Sequence, residues 1–210
     1  MWIILSFSIL IGGVNMALPV GDYDKQIWDD LIAWGATEEC TAGIMGNLYA
    51  ESALQPNNVQ NSSGYTDEYY TNAVDSGSYS EYKFVHDSIG YGLAQWTYYS
   101  RKQKLYDLTV AVGKSVSNYD AQMELLQQEL TSYGIDKDSS SIRETSDWML
   151  HDFESPADQS ESVEITRYNF SLEFYERYNG SSPEPPQPPT PSRSRRDNNF
   201  FMFLLRNRII

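Results

Sequence analysis

The sequence predicts an all-α domain that is interrupted by one long loop. Apolar residues recur at helical spacing through most of residues 23–178, and the helical stretches end at glycine or proline. Residues 55–90 are instead rich in Asn, Ser, Gly, Asp and Tyr and keep no lasting period. We therefore expect five or six helices around a Tyr-rich loop beside a cleft. A lid or a minor β-hairpin in this loop, which would make the domain α+β, is compatible with the pattern.

The first two helices have clear start and stop signals. Helical spacing begins at Tyr23 and ends at Gly35, a residue suited to a left-handed C-terminal cap. Thr37 can cap the second helix, which Pro56 prevents from extending, so this helix stops near Glu51. The same reasoning predicts four later helices, over Ser100–Val112, Tyr119–Tyr133, Ser141–Phe153 and Asp158–Tyr178.

Both ends of the chain differ from this body in composition. Residues 1–21 have no charged side chain and resemble a signal or membrane anchor, although an extension that precedes a working start at Met16 explains them equally well. Residues 181–210 form a Pro-rich linker followed by a basic, aromatic tail with only six consecutive apolar residues. We expect residues 22–180 to form the domain, and we leave open its attachment to a membrane or a partner through the termini.

Charge and cysteine content exclude several function classes. The chain has a formal charge of -14, and residues 22–180 hold 27 of the 29 acidic residues but only 10 of the 15 basic ones. Affinity for nucleic acid depends on Lys and Arg, so we expect no nucleic-acid partner. Cys40 is alone, and His86 and His151 lie far apart. This leaves no disulfide and little material for a metal site, and we expect neither metal nor cofactor.

Glu51 is the most informative single residue. On a helix it shares the apolar stripe of Ile44 and Leu48, yet it lies in the last turn, where the helix dipole disfavours a carboxylate. Both effects favour the protonated acid. A carboxylic acid that keeps its proton near neutral pH is what a general acid for glycosidic bond cleavage requires.

The residues around Glu51 resemble a known family. The run GIMGNLYAESALQPNN (43–58), followed by SIGYGLAQWT (88–97), resembles the phage tail lysozymes, which cleave peptidoglycan. The resemblance extends upstream through IWDDLIAWGATEE and downstream to DFESPADQSES, so it covers residues 24–178. More distantly, the Glu-Ser pair and the Gly-Leu-Ala-Gln run resemble lytic transglycosylases and goose-type lysozymes, although 44 residues separate Glu51 from Gln95 here.

The resemblance implies roles for several residues. Glu51 is then the catalytic acid, and the loop around Gly92 lines the sugar cleft, with Gln95 as a hydrogen-bonding candidate. Tyr91 and Trp96 have flat faces and polar tips that suit sugar rings, although both are also typical core residues.

The second carboxylate of the site is less well defined by the sequence. Retaining and inverting glycosidases place their carboxyl pairs about 5–5.5 Å and about 6.5–9.5 Å apart, and a sequence gives no distances. Glu154 is the first candidate, because Phe153–Pro156 belongs to the family resemblance. Asp87 is the second, and it is also a candidate for substrate binding beside the glycine-rich loop. A goose-type mechanism needs no second protein carboxylate.

The resulting hypothesis is an all-α, lysozyme-like enzyme that cleaves the β-1,4 bond between N-acetylmuramic acid and N-acetylglucosamine. Its partner is the glycan strand of peptidoglycan, and it faces the cell wall as a secreted, anchored or phage-tail protein. A lytic transglycosylase with 1,6-anhydro products, a non-catalytic wall-binding module and a structural tail component are the alternatives. A cysteine peptidase is disfavoured, because Glu38 and Glu39 next to Cys40 would raise the pKa of its thiol.

Overall fold

A computed structural model describes residues 18–19 and 21–179 and confirms the all-α prediction. Eight α-helices follow one another in these residues, with no strand among them. The helices are α1 (Asp24–Ala33), α2 (Glu38–Ser52), α3 (Asp67–Asp75), α4 (Glu81–His86), α5 (Tyr99–Leu108), α6 (Tyr119–Tyr133), α7 (Ile142–Trp148) and α8 (Glu161–Asn179). Two 3-10 turns (Asn61–Ser63 and Val110–Val112) and a π-helical turn (Met149–Glu154) complete them. Of the expected terminal segments 1–21 and 181–210, residues 1–17, residue 20 and all of 181–210 lie outside the described residues.

Helix α2 is the central element of the domain. Its N-cap Thr37 accepts a hydrogen bond from the Cys40 N–H at 3.1 Å, as the sequence predicted. Ten of its fifteen residues are buried, because α1, α7 and α8 pack around it. A helix covered on most sides places its few polar side chains inside the protein, where each needs a partner.

Two glycines of α2 allow its close approach to neighbouring helices. A Cβ atom on Gly46 would lie 2.4 Å from the Ser171 backbone nitrogen and 2.7 Å from the Arg167 carbonyl oxygen. A Cβ on Gly43 would lie 2.6 Å from the Thr145 Cβ. These contacts place the backbones of α7 and α8 against α2, which sets where the side chains of α8 reach α2.

We expect Gly46→Ala to destabilise the protein by about 3 kcal/mol, since the methyl group meets backbone atoms that cannot rotate away. Gly113→Ala is the control: its added Cβ meets nothing within 4 Å, and only its left-handed φ of 78° costs about 1–2 kcal/mol. Urea unfolding of both variants measures the difference. Equal stability losses would contradict the proposed close contact of α2 and α8.

The Tyr-rich segment is more ordered than the sequence predicted. Residues 55–90 contain α3 and α4, capped by Thr66 and Ser80, where a loop, a lid or a hairpin was expected. In place of a hairpin, two isolated β-bridges join Val59 to Tyr91 and Tyr91 to Trp96, at the end of this segment and just beyond it. The prediction failed because helices of nine and six residues are too short to show a helical period.

The later helices follow the prediction with shifted ends. Helix α6 has the predicted bounds, whereas the predicted helix over 141–153 divides into α7 and the π-helical turn. A π turn inserts one residue into the helical register, which rotates the side chains that follow it. In the described residues, no helix is both long and apolar enough to cross a membrane.

Candidate active site

Glu51 lies in the last turn of α2, and its side chain is 21% exposed. Ala53, two residues after Glu51, is the C-cap of α2 and has a left-handed backbone with φ 50°. The chain therefore turns away sharply behind Glu51, and its carboxyl group keeps access to solvent at the edge of the core.

Arg167 of α8 joins Glu51 to Glu154. Its Nη2 donates to Oε1 of Glu51 at 2.5 Å, and its Nη1 donates to Oε2 of Glu154. Both carboxyls are thus held on one planar guanidinium, a geometry that suits two oxygen acceptors side by side. The structure brings together the two carboxylates that the sequence suggested, through a cation that the sequence analysis missed.

Asn47 orients this cation from one turn earlier on α2. Its Oδ1 accepts a hydrogen bond from Arg167 Nη1 at 3.2 Å. Its Nδ2 donates to the Gly43 carbonyl at 2.9 Å and lies 3.2 Å from both the carbonyl and hydroxyl oxygens of Ser146. Asn47 is fully buried with both ends of its amide engaged, so Arg167 has a fixed position.

Glu154 is the buried member of the carboxyl pair. Its side chain is 5% exposed, and its Oε1 has no hydrogen-bond partner in the part of the chain that the structure describes. Burial and the neighbouring Glu51 carboxyl raise the pKa of Glu154 well above its usual value, and the opposing effect of Arg167 does not cancel this shift. Glu154 therefore favours its protonated form in the folded protein.

The two sequence pieces of the family resemblance meet in space. The hydroxyl of Ser52, the residue after Glu51, lies 2.8 Å from the Leu93 carbonyl oxygen and 3.1 Å from that of Leu48. Gln122 of α6 holds the same loop, because its Oε1 accepts from the Leu93 N–H at 2.9 Å. A Cβ on Gly92 would lie 2.6 Å from that Gln122 oxygen, which explains why glycine is needed there.

Gln95 is engaged within its own loop. Its Nε2 lies 2.9 Å from Asn58 Oδ1, 3.1 Å from the Asn58 carbonyl and 3.2 Å from the Gly92 carbonyl. Its backbone is left-handed, with φ 43°. In this conformation the side-chain amide nitrogen of Gln95 is occupied by acceptors of its own loop.

Tyr91 and Trp96 require a correction, because both side chains are fully buried. The Trp96 Nε1 donates to Oε2 of Glu129 at 2.9 Å, and the Tyr91 hydroxyl lies 2.6 Å from the Thr71 hydroxyl. Their polar tips are satisfied inside the protein, and their rings offer no face to a ligand. They support the loop from below as core residues, which was the alternative interpretation of the sequence.

Asp87 is also committed to the interior. Its Oδ1 forms an ion pair at 2.5 Å with Lys102, which is completely buried, and its Oδ2 accepts from the Tyr70 hydroxyl at 2.5 Å. Burial lowers the pKa of Lys102 and outweighs the Asp87 carboxylate, which raises it. These contacts tie α3, α4 and α5 together, and they leave Asp87 in a supporting position away from any role as a second carboxylate or a sugar ligand.

Residues with a strained backbone lie close to Glu51, to Glu154 and to the glycine-rich loop. Among the described residues, five residues other than glycine have positive φ, and such conformations cost energy that the surrounding structure must supply. They follow Glu51, follow Glu154, or flank the glycine-rich loop: Ala53, Leu54, Ser88, Gln95 and Ser155.

Cys40 and the histidines do not form a catalytic group in the described residues. Cys40 is fully buried, and burial raises the pKa of its thiol to about 12. His86 contacts the Tyr82 carbonyl, whereas His151 lies between Gln159 and Glu164. No group of three or more metal-ligating side chains occurs in this part of the chain.

An open depression of about 390 Å³ lies elsewhere, between α1 and α6. Its lining includes Trp34, Asp30 and Glu124 but neither carboxyl of the Arg167 cluster. We assign it no role in the chemistry, because its lining includes neither Glu51 nor any residue of the glycine-rich loop.

Arg167 and Asn47, which the sequence-based prediction missed, both occupy core-facing positions of their helices. Arg167 lies four residues after Val163 and seven before Phe174, so a cation occupies the apolar stripe of α8. Asn47 lies four residues before Glu51 on α2. A polar residue at a core-facing position needs a buried partner, but the sequence does not say which one.

Together, the helical domain, the acid at the end of its central helix and the adjoining glycine-rich loop define a lysozyme-like, cell-wall-degrading class of protein. The family model of the phage tail lysozymes matches residues 22–178, and the chain belongs to that family. This membership implies a peptidoglycan-lytic, phage-associated or cell-wall-acting role. No curated protein matched the sequence.

Proposed function

We propose that the protein is a muramidase that cleaves the β-1,4 bond between N-acetylmuramic acid and N-acetylglucosamine, with Glu51 as the general acid. The observation that carries this proposal is the pairing of Glu51 with Glu154 on Arg167. Of the two carboxyls, that of Glu51 is the more exposed, at 21% against 5%. It is therefore the one that can reach a glycosidic oxygen.

The role of the acid follows from the chemistry of the bond. The leaving oxygen must take a proton as the glycosidic bond breaks, and the acid must hold that proton until then. The Gly92 loop, joined to the end of α2 by Ser52, forms the adjoining wall. We propose that the sugar lies along this wall, with the Gln95 carbonyl oxygen as an acceptor for its hydroxyl or amide groups.

The binding of both carboxyls to Arg167 favours a mechanism with one protein acid. An inverting enzyme leaves room for a water between its carboxyls, and a retaining enzyme places a nucleophile about 5–5.5 Å from the acid. Here Glu51 and Glu154 both accept hydrogen bonds from one guanidinium, and the Glu154 side chain is only 5% exposed, which suits neither a catalytic water nor a nucleophile at that carboxyl. A lytic transglycosylase, in which the C6 hydroxyl of the muramic residue completes the reaction, is therefore the second candidate.

The charge of the domain bears on how it meets its substrate. A strongly acidic protein is repelled by an anionic cell wall, so electrostatic steering would slow the encounter. We propose that attachment, to a phage tail or through the terminal segments, delivers the domain to the wall.

Digestion of purified peptidoglycan from several wall types by the full chain tests the proposal, with soluble products read by mass spectrometry. We expect fragments with reducing muramic ends. Fragments with 1,6-anhydro ends, lighter by one water, would instead establish the transglycosylase. If the protein sediments with the wall but releases no fragments, both enzymatic functions are contradicted. The protein would then be a non-catalytic wall-binding module.

A further inference from the structure

Arg167 provides one positive charge for two carboxyl groups. If both Glu51 and Glu154 were ionised, the cluster would carry a net negative charge with its Glu154 member almost completely buried. Uncompensated buried charge is costly, and a single added proton makes the cluster neutral.

The arrangement of the two carboxyls points to the same number of protons. Arg167 donates to Glu154 through Nη1 and to Glu51 through Nη2, so the two carboxyl groups lie side by side on one guanidinium. Two ionised carboxylates at one site repel each other, which favours the protonated form of one of them. Oε1 of Glu154 is buried and has no hydrogen-bond partner among the described residues, which disfavours a negative charge on this carboxyl.

We propose that Glu51 and Glu154 hold one proton between them, with Glu154 as a positioning residue that stores the proton and passes it to Glu51 during catalysis. This inference rests on the proposed function of Glu51 as the general acid. Glu154 does not touch the substrate, because only Glu51 has the exposure to do so.

The proton balance closes over one reaction cycle. Glu154 passes its proton to Glu51, and Glu51 passes it to the leaving glycosidic oxygen as the C–O bond breaks. Arg167 then faces two carboxylates. The attacking water, or the C6 hydroxyl in a transglycosylase, forms the new C–O bond and releases a proton, which restores the pair. No further reactant is required, and the cycle is the same for both product types.

The pair also explains how Glu51 can be an acid beside a cation. A guanidinium at 2.5 Å by itself favours the ionised carboxylate, which has no proton to give. The charged groups that act on Glu154 are Glu51 from α2 and Arg167 from α8. Because Glu51 shares a proton with Glu154, a proton remains available to Glu51 although the guanidinium of Arg167 is adjacent.

The test is the pH profile of the full chain and of Glu154→Gln, measured as the initial rate of muropeptide release from purified peptidoglycan. Glutamine keeps the shape and can accept from Arg167, but it holds no transferable proton. We expect the alkaline limb of the profile to move down by about 1 pH unit or more, with activity lost about tenfold on that limb and largely kept at acid pH.

Glu164→Gln is the matched control, since it makes the same replacement of a carboxyl by an amide at a residue that pairs with Arg143 and His151. Its profile should superimpose on that of the unchanged protein. A Glu154→Gln profile that keeps its alkaline limb, or falls equally at every pH, would overturn the proposal.

A second measurement does not depend on the variant being active. In the full chain labelled with 13C-glutamate, the two carboxyl resonances can be assigned by their loss in Glu51→Gln and Glu154→Gln. We expect a protonated carboxyl in this pair at neutral pH. Two ionised carboxylates at neutral pH would overturn the shared proton, whereas absence of muropeptide release by the unchanged protein would overturn only its proposed function.

Discussion

Glu51→Gln should lower the rate of muropeptide release from purified peptidoglycan by about 10³-fold, the size expected when a general acid is removed. The amide is isosteric with the acid and still accepts from Arg167 Nη2, so the hydrogen-bonding position is kept. It cannot protonate the leaving oxygen. The measurement is the initial rate of soluble product release, quantified by mass spectrometry for both proteins.

Glu38→Gln is the matched control for this experiment. Glu38 lies on the same helix and carries the same charge, but it is exposed in the first turn of α2, far along the helix from Glu51. We expect its activity to equal that of the unchanged protein. If Glu51→Gln folds normally and keeps more than a tenth of the activity, Glu51 is not the general acid.

Arg167→Met should produce the largest loss of stability of the substitutions considered, about 3–5 kcal/mol near neutral pH. Methionine replaces the apolar stem of the arginine but leaves Glu51 and Glu154 side by side without a cation. It also leaves Asn47 Oδ1 buried without its donor. Urea denaturation followed by circular dichroism measures the free energy of unfolding.

The control for Arg167→Met is Arg143→Met. Arg143 also pairs with two carboxylates, Asp147 and Glu164, but its side chain is 28% exposed, so water screens the interaction. We expect that variant to lose less than about 1 kcal/mol. Similar losses for both arginines would show that burial of the Arg167 cluster does not matter for stability.

The deficit of Arg167→Met should also depend on pH. Burial raises the pKa of Glu154, and Arg167 opposes that shift, so its removal raises this pKa further. The folded variant then holds its proton more tightly than the unfolded chain, and its stability falls as pH rises above the unfolded value of about 4.3. We expect the loss in the free energy of unfolding to be smaller at pH 4 than at pH 8. A loss that grows toward low pH would contradict the proposed effect of Arg167 on the pKa of Glu154.

Local signals in the sequence were enough for most helix ends and for the acid. Thr37 caps α2, and Pro56 follows its end, so the bounds of this helix need no tertiary information. Glu51 combines an apolar stripe with a helix terminus, and both features can be read from spacing. The same signals failed for α3 and α4, because only three residues of α3 and two of α4 are buried, too few to show a helical period.

The aromatic residues of the glycine-rich loop show where composition is ambiguous. Tyr91 and Trp96 have the amphipathic shape of sugar-binding residues and also that of core residues with one polar tip. Their burial depends on Thr71 and Glu129, which hold the tips and are 20 and 33 residues away. Sequence spacing does not reveal contacts between residues so far apart, so it could not distinguish the two roles.

The sequence by itself determined the all-α class, the position of Glu51 at the end of a buried helix and the adjoining glycine-rich loop, because caps, stripes and glycines act over a few residues. Only the tertiary structure decided which charge meets that acid. Arg167 is 116 residues from Glu51 and reaches it because Gly46 lets α8 lie against α2. Periodicity identifies the face of a helix that is buried, whereas the partner on that face is set by packing between distant segments.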